Sequence, residues 1–165
     1  MPAVRQIRAT PLTVRMYLDI FMQKSTKGRM WMISVTSGYA LRTLICLAQI
    51  PDGRSLPGRE LALRTGVPAN YLSKLLVVLR NAGVVSTTRG SGGGYRLKES
   101  SLKLPLMEIV QTFDGPRASP ACLLGPEHSC SDEDPCPAHA AWRPIRELYL
   151  SFLHNTTLED ISRHP

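Results

Sequence analysis

Three cysteines and a histidine carry the chemistry of this chain: Cys122, Cys130 and Cys136 follow C-x7-C-x5-C, with His139 three residues beyond. Three soft thiolates and an imidazole suit tetrahedral zinc or an iron–sulfur cluster. Structural zinc usually takes ligands in pairs two to four residues apart. The wider spacing here tilts the choice toward a cluster, which accepts more widely separated thiolates. Cys46 differs, because it falls within the apolar face of a helical pattern and is expected to be a small core residue. His128 is a weaker candidate ligand, and Asp132, Glu133 and Asp134 are expected to form a solvated acidic turn.

The cysteines lie in residues 114–139, a stretch broken by Pro116, Pro120, Pro126, Pro135 and Pro137, so neither helix nor strand can organise most of it. A loop of that length inside a compact chain needs a function or is disordered. Metal–thiolate bonds would fix it where apolar surface is too scarce. No secretory signal accompanies the cysteines, which predicts a reducing, cytoplasmic setting and disfavours disulfides. An enzyme with a cysteine nucleophile is excluded, because no CxxC pair or nucleophile elbow is present.

The elements that position this loop begin with SGYALRTLICLAQI, where Ala40, Leu41, Leu44, Ile45, Leu47 and Ala48 recur at helical spacing. Ser37 is the expected cap, and Pro51-Asp52-Gly53 the stop. A short helix over 58–64 turns Leu61 and Ala62 inward, Thr65-Gly66-Val67-Pro68 makes a tight break, and a helix over 69–82 carries Leu72, Leu75, Leu76 and Leu79 on one side. Two helices around such a turn predict a helix-turn-helix. Asn81-Ala82-Gly83 then ends the second helix. The β-rich run 84–88, the glycine loop RGSGGG over 89–94 and the strand Tyr95-Arg96-Leu97 predict a hairpin wing. A nucleotide cradle is disfavoured, since the glycines precede a strand rather than a helix and no GK[ST] occurs.

Charge agrees with this division. Residues 32–98 hold nine basic and two acidic side chains, a net +7, whereas residues 99–165 hold five and ten, a net −5. The basic part predicts a double-stranded DNA partner, and nothing points to a membrane or a small-molecule substrate. The residues expected to face DNA are Arg59, then Ala69, Asn70, Tyr71, Ser73 and Lys74 at the start of the recognition helix, and Arg89, Ser91, Gly92, Gly93 and Tyr95 in the wing. Glycine would let the wing tip approach the duplex without Cβ clashes.

After the loop, residues 140–154 predict an amphipathic helix with Trp142, Ile145, Leu148, Tyr149, Phe152 and Leu153 on one stripe and Pro144 in its first turn. A second copy of the chain would cover the stripe and place two recognition helices on a pseudo-palindromic site. The alternative is that it folds back on the first helix. Thr156-Thr157-Leu158-Glu159 predicts a capping box opening a short last helix.

The runs TSGYALRTL, NYLSKLLVVLRNAGVV and STTRGSGGGYRL, with the cysteine triplet and TTLEDI behind them, resemble the Rrf-two family of bacterial transcription regulators over about residues 32–162. The resemblance implies a homodimeric winged helix-turn-helix protein, mainly α with a small β-hairpin wing and a long C-terminal dimerisation helix. It further implies a repressor that senses iron–sulfur, nitric-oxide or redox status. By that likeness Cys122, Cys130 and Cys136 hold the cluster, [2Fe–2S] ahead of [4Fe–4S], with zinc less favoured, and CPAHAAWR favours His139 as the fourth ligand. Some members instead take an aspartate just before the first-helix Tyr of the other subunit; here that position is Gly38. A cluster-free regulator with a thiol switch or zinc site is the alternative. The expected division is a basic, disordered extension or misassigned start over 1–31, the DNA-binding domain over 32–98, a linking helix and cluster loop over 99–139, and the dimerisation helix and tail over 140–165.

Overall fold

The computed structural model describes residues 33–51, 54–90, 92–115, 122–124 and 130–163. The leader over 1–31, Ser91 and His128 lie outside them. Helix α1 (Val35–Ala48) begins two residues before the predicted cap: Ser34 is the N-cap, its hydroxyl accepting the Ser37 N–H at 3.1 Å. Ser37 sits inside the helix, fully buried, and this corrects its assignment as the cap. The reason is an acidic partner elsewhere in the chain: Ser37 Oγ donates to Asp114 at 2.7 Å.

Helices α2 (Gly58–Thr65) and α3 (Ala69–Asn81) follow, joined through Gly66 in the left-handed conformation at φ 67°. Thr65 Oγ1 donates to the Leu61 carbonyl at 2.7 Å and accepts the Val67 N–H at 3.4 Å, tying the turn to the helix before it. Strands β1 (Val85–Thr88) and β2 (Gly94–Leu97) pair antiparallel with Val85 opposite Leu97 and Thr88 opposite Gly94. Leu56 adds a bridge to Tyr95, its N–H donating to the Tyr95 carbonyl at 2.8 Å.

Past a 3-10 turn (Glu99–Lys103), α4 (Leu106–Asp114) presents Leu106, Ile109, Val110 and Phe113 to the core, and Gly115 at φ 80° ends it. Helix α5 (His139–Asn155) starts one residue earlier than predicted, so Pro144 falls in its second turn rather than its first. Its missing N–H leaves the carbonyl of the exposed Ala140 to water. The short α6 (Leu158–Ser162) has its capping box on Thr157 and Asp160, one residue later than the sequence pattern suggested.

One core joins these elements: Leu44 of α1, Leu61 of α2, Leu72, Leu76 and Leu79 of α3, Ile109 of α4 and Leu158 of α6 are almost wholly removed from water. Cys46 is half-buried and packs against the core at its margin rather than inside it, and burial pushes its thiol pKa up. The apolar stripe of α5 divides. Leu153 is buried and Tyr149 half-buried where α5 packs on α4, while Ile145, Leu148 and Phe152 remain exposed, Leu148 to 73%. No helix among the described residues is long and apolar enough to cross a membrane.

Candidate metal centre and nucleic-acid interface

The chain between α4 and α5 brings Cys122, Cys130 and Cys136 together, with their sulfurs all within 4.8 Å of one another and each half-buried. Cys122 Sγ lies 3.3 Å from Cys136 Sγ. Backbone amides supply the surroundings a thiolate requires. Leu124 N–H donates to Cys122 Sγ at 3.5 Å, and Cys136 N–H to Cys130 Sγ at 3.4 Å. Such donors stabilise negative charge on sulfur, the form that binds metal. Three adjacent sulfurs, two of them accepting backbone N–H groups, therefore fit a thiophilic metal or an iron–sulfur cluster.

His139, the first residue of α5, stands at the edge of this group. Its Nδ1 is 2.9 Å from Cys130 Sγ, and its Nε2 is 2.9 Å from Asp132 Oδ1. An ionised carboxylate only accepts, so Nε2 carries the proton, and in the neutral ring Nδ1 is left with the lone pair facing the sulfurs. This carboxylate–histidine pairing is the one that orients imidazole ligands. The contact with Cys130, and after it the contact with Asp132, raises the imidazole pKa above its ordinary value, and His139 in turn lowers that of Asp132. Asp132 also meets Arg143 at 3.6 Å. The acidic turn expected from sequence is exposed at Asp132, Glu133 and Asp134, and within it Asp132 has the added role of holding the histidine. Only its position seven residues before His139 hinted at this.

The helix-turn-helix and the wing present a second surface. Ala69, Asn70, Ser73 and Lys74 on α3 are exposed, as are Arg59 on α2 and Arg89 and Gly92 in the wing. Tyr71 and Tyr95 are half-buried and engaged within the protein. The Tyr71 hydroxyl is 2.5 Å from Thr36 Oγ1, and its ring meets Tyr39 edge-on at 5.3 Å. Tyr95 lies at the wing base, its ring where a Cβ on Gly58 would touch it. Gly93 and Gly94 are needed for a reason internal to the fold. A Cβ on Gly93 would come 2.4 Å from the Thr88 carbonyl oxygen, and one on Gly94 would come 2.3 Å from that of Leu56. Thr36 was missed in the sequence, since nothing local marks a threonine as the partner of a tyrosine 35 positions on.

A helix-turn-helix with a paired-strand wing, exposed basic side chains and an appended loop that gathers three cysteines defines a DNA-binding regulator. The chain belongs to the Rrf2 family: residues 33–164 match the family described as an iron-dependent transcriptional regulator. It is 34% identical over 137 residues to an rrf2-like HTH-type transcriptional regulator of Rhodobacter capsulatus, covering 79% of this chain and 91% of that one. To the HTH-type transcriptional regulator IscR of Klebsiella pneumoniae it is 29% identical over 140 residues, covering 85% and 79%. Its fold is similar to that of CymR, the global cysteine regulator of B. subtilis, with TM-score 0.62, 30% identity, and 79% and 95% of the two chains covered. The chain is accordingly an Rrf2-type transcriptional regulator that binds DNA, and not an enzyme.

Proposed function

We propose that this regulator is a homodimeric cytoplasmic repressor whose grip on its operator is set by an iron–sulfur cluster on Cys122, Cys130 and Cys136, with His139 as fourth ligand. The observation that carries the reading is the convergence of three sulfurs within 4.8 Å of one another on a proline-rich loop. A bound cluster supplies iron and sulfide open to oxidation, nitrosylation and loss. The protein contributes thiolates stabilised by amide N–H groups, and an imidazole held toward them by Asp132. A neutral imidazole among anionic thiolates raises the reduction potential of such a site. In this reading residues 32–98 are the DNA-binding unit, 99–139 the linking helix and sensor loop, and 140–165 the dimerising helix and tail. The exposed Ile145, Leu148 and Phe152 are what a second copy would cover. Arg59, Ala69, Asn70, Ser73 and Lys74 would meet the major groove and backbone, with Arg89, Ser91, Gly92 and Gly93 at the wing, while Tyr71 and Tyr95 set their placement.

Anaerobic purification followed by iron and sulfide analysis, absorbance and Mössbauer spectra tests the reading. The wild type is expected to be coloured and to contain iron and sulfide, Cys130→Ala to lose both, and removal of iron to change affinity for a duplex selected by the protein from a randomised pool. A colourless protein with stoichiometric zinc overturns it.

One distance favours a second reading. With Cys122 and Cys136 sulfurs 3.3 Å apart, a peroxide could take two electrons and two protons from the thiols and leave a disulfide. Likeness to CymR, of which an oxidised form has been solved, supports this thiol-switch reading. It predicts iron-free protein that loses two hydrogens on oxidation, in a form that Cys122→Ser abolishes.

A further inference from the structure

We propose that Asp114 is the positioning residue that couples the cysteine loop to the recognition helix, by clamping the N-terminus of α1 from which Tyr71 is held. The proposal rests on the cysteine loop being the sensor, as read above. Asp114 is the last residue of α4, Gly115 at φ 80° ends the helix directly after it, and Cys122 follows seven residues after Gly115 in the sequence. Its carboxylate gathers three donors from the start of α1. Oδ2 accepts the Ser34 N–H at 3.0 Å, and Oδ1 accepts the Ser37 hydroxyl at 2.7 Å and the Ser34 hydroxyl as well.

Those donors lie in the cap and first turn of α1, the same turn that carries Thr36. Thr36 Oγ1 is 2.5 Å from the hydroxyl of Tyr71, in the first turn of the helix that enters DNA. Two polar contacts therefore separate the root of the cysteine loop from the recognition helix. The far end of the loop reaches the same carboxylate by another route. Helix α5 begins at His139 against Cys130 and packs on α4, and its Tyr149 lies close enough for the Asp114 charge to add to burial in pushing the phenol pKa up to about 12. Whatever shifts the cysteine loop thus bears on Asp114 from both sides. Packed helices respond to small displacements by adopting discrete alternatives rather than by bending.

Operator affinity of iron-loaded and stripped protein is the measurement, with the duplex selected as above and iron content and melting curve recorded for every variant. Wild type is expected to show a loaded-to-stripped ratio of about fivefold or more in either direction. Asp114→Ala should load iron normally yet bring the ratio to within about twofold, and Asp114→Asn, which keeps an acceptor oxygen, should recover part of it. Thr36→Val leaves the clamp, the sulfurs and the exposed DNA-facing side chains in place and should also collapse the ratio. If Asp114→Ala fails to melt cooperatively, Thr36→Val decides alone. Amide exchange over residues 34–39 should quicken in Asp114→Ala. A folded, iron-loaded Asp114→Ala that keeps the full ratio overturns the coupling while leaving the sensor reading intact. A wild type with iron but no ratio overturns the sensor reading itself, and the coupling with it.

Discussion

At the scale of single residues, two glycines show how differently one residue type is used. Gly94 lets β2 run against Leu56, where a methyl would come within 2.3 Å of a carbonyl oxygen. Gly38 lies in α1 with nothing within 4 Å of where its Cβ would be. Gly94→Ala should cost about 1–3 kcal/mol through overpacking, lowering the melting temperature by about 2–4 °C per kcal/mol at this chain length. Gly38→Ala should instead stabilise by about 0.5–1 kcal/mol, because a helical glycine gives up more chain entropy than alanine. Thermal melts of the two variants against wild type check both. The glycine run marked the wing in the sequence because a composition signal is local. That Gly93 and Gly94 are needed inside the fold was not legible there, because the carbonyls of Thr88 and Leu56 that forbid a side chain are set by tertiary contact.

Elements were legible where their signals were periodic and local. Leu72, Leu75, Leu76 and Leu79 marked the buried face of α3, and all four are buried. Helix starts were displaced by one distant partner and one local turn: Asp114 recruits Ser37 into the interior of α1 from 77 residues away, and the carbonyl of Cys136 accepts the His139 N–H at 2.9 Å three residues on, at the start of α5. Helix α6 depends on its cap. Thr157 and Asp160 bond reciprocally, Leu158 is wholly buried, and the Leu158 N–H donates to the Leu104 carbonyl at 3.0 Å. The Thr157 hydroxyl and, after it, its backbone N–H hold the Asp160 carboxyl below its ordinary value of 3.8. A carboxyl depressed in the folded state stabilises above its unfolded pKa, and that stability is lost as the pH falls through the folded value. Asp160→Asn should therefore melt earlier than wild type near neutrality, and the gap should close in strong acid. Thr157→Ala should cost about 1 kcal/mol at neutral pH through loss of the cap.

Across the whole molecule, the division between a basic head and an acidic tail was evident from charge counts. The convergence of three cysteines separated by prolines was suggested by spacing, whereas the role of Asp132 was hidden among neighbouring acids. Two further outcomes belong at this scale. Arg89→Ala should weaken DNA binding and reduce the slope of log affinity against log salt by about one if Arg89 meets a phosphate, as titrations at several salt concentrations would reveal. Leu148→Glu places charge in the exposed stripe of α5 and should yield a monomer in sedimentation, with weaker operator binding and an unchanged helical spectrum.

The split of α5 has a consequence for how such a regulator responds to its own abundance. Leu153 and Tyr149 sit where the helix packs on α4 of the same chain, while Ile145, Leu148 and Phe152 stay exposed. In the proposed dimer each chain would keep its shape when alone, so subunits would exchange without unfolding. In the dilute limit occupancy of a paired half-site would then rise with the square of protein concentration, and a modest change in synthesis would become a threshold in transcription.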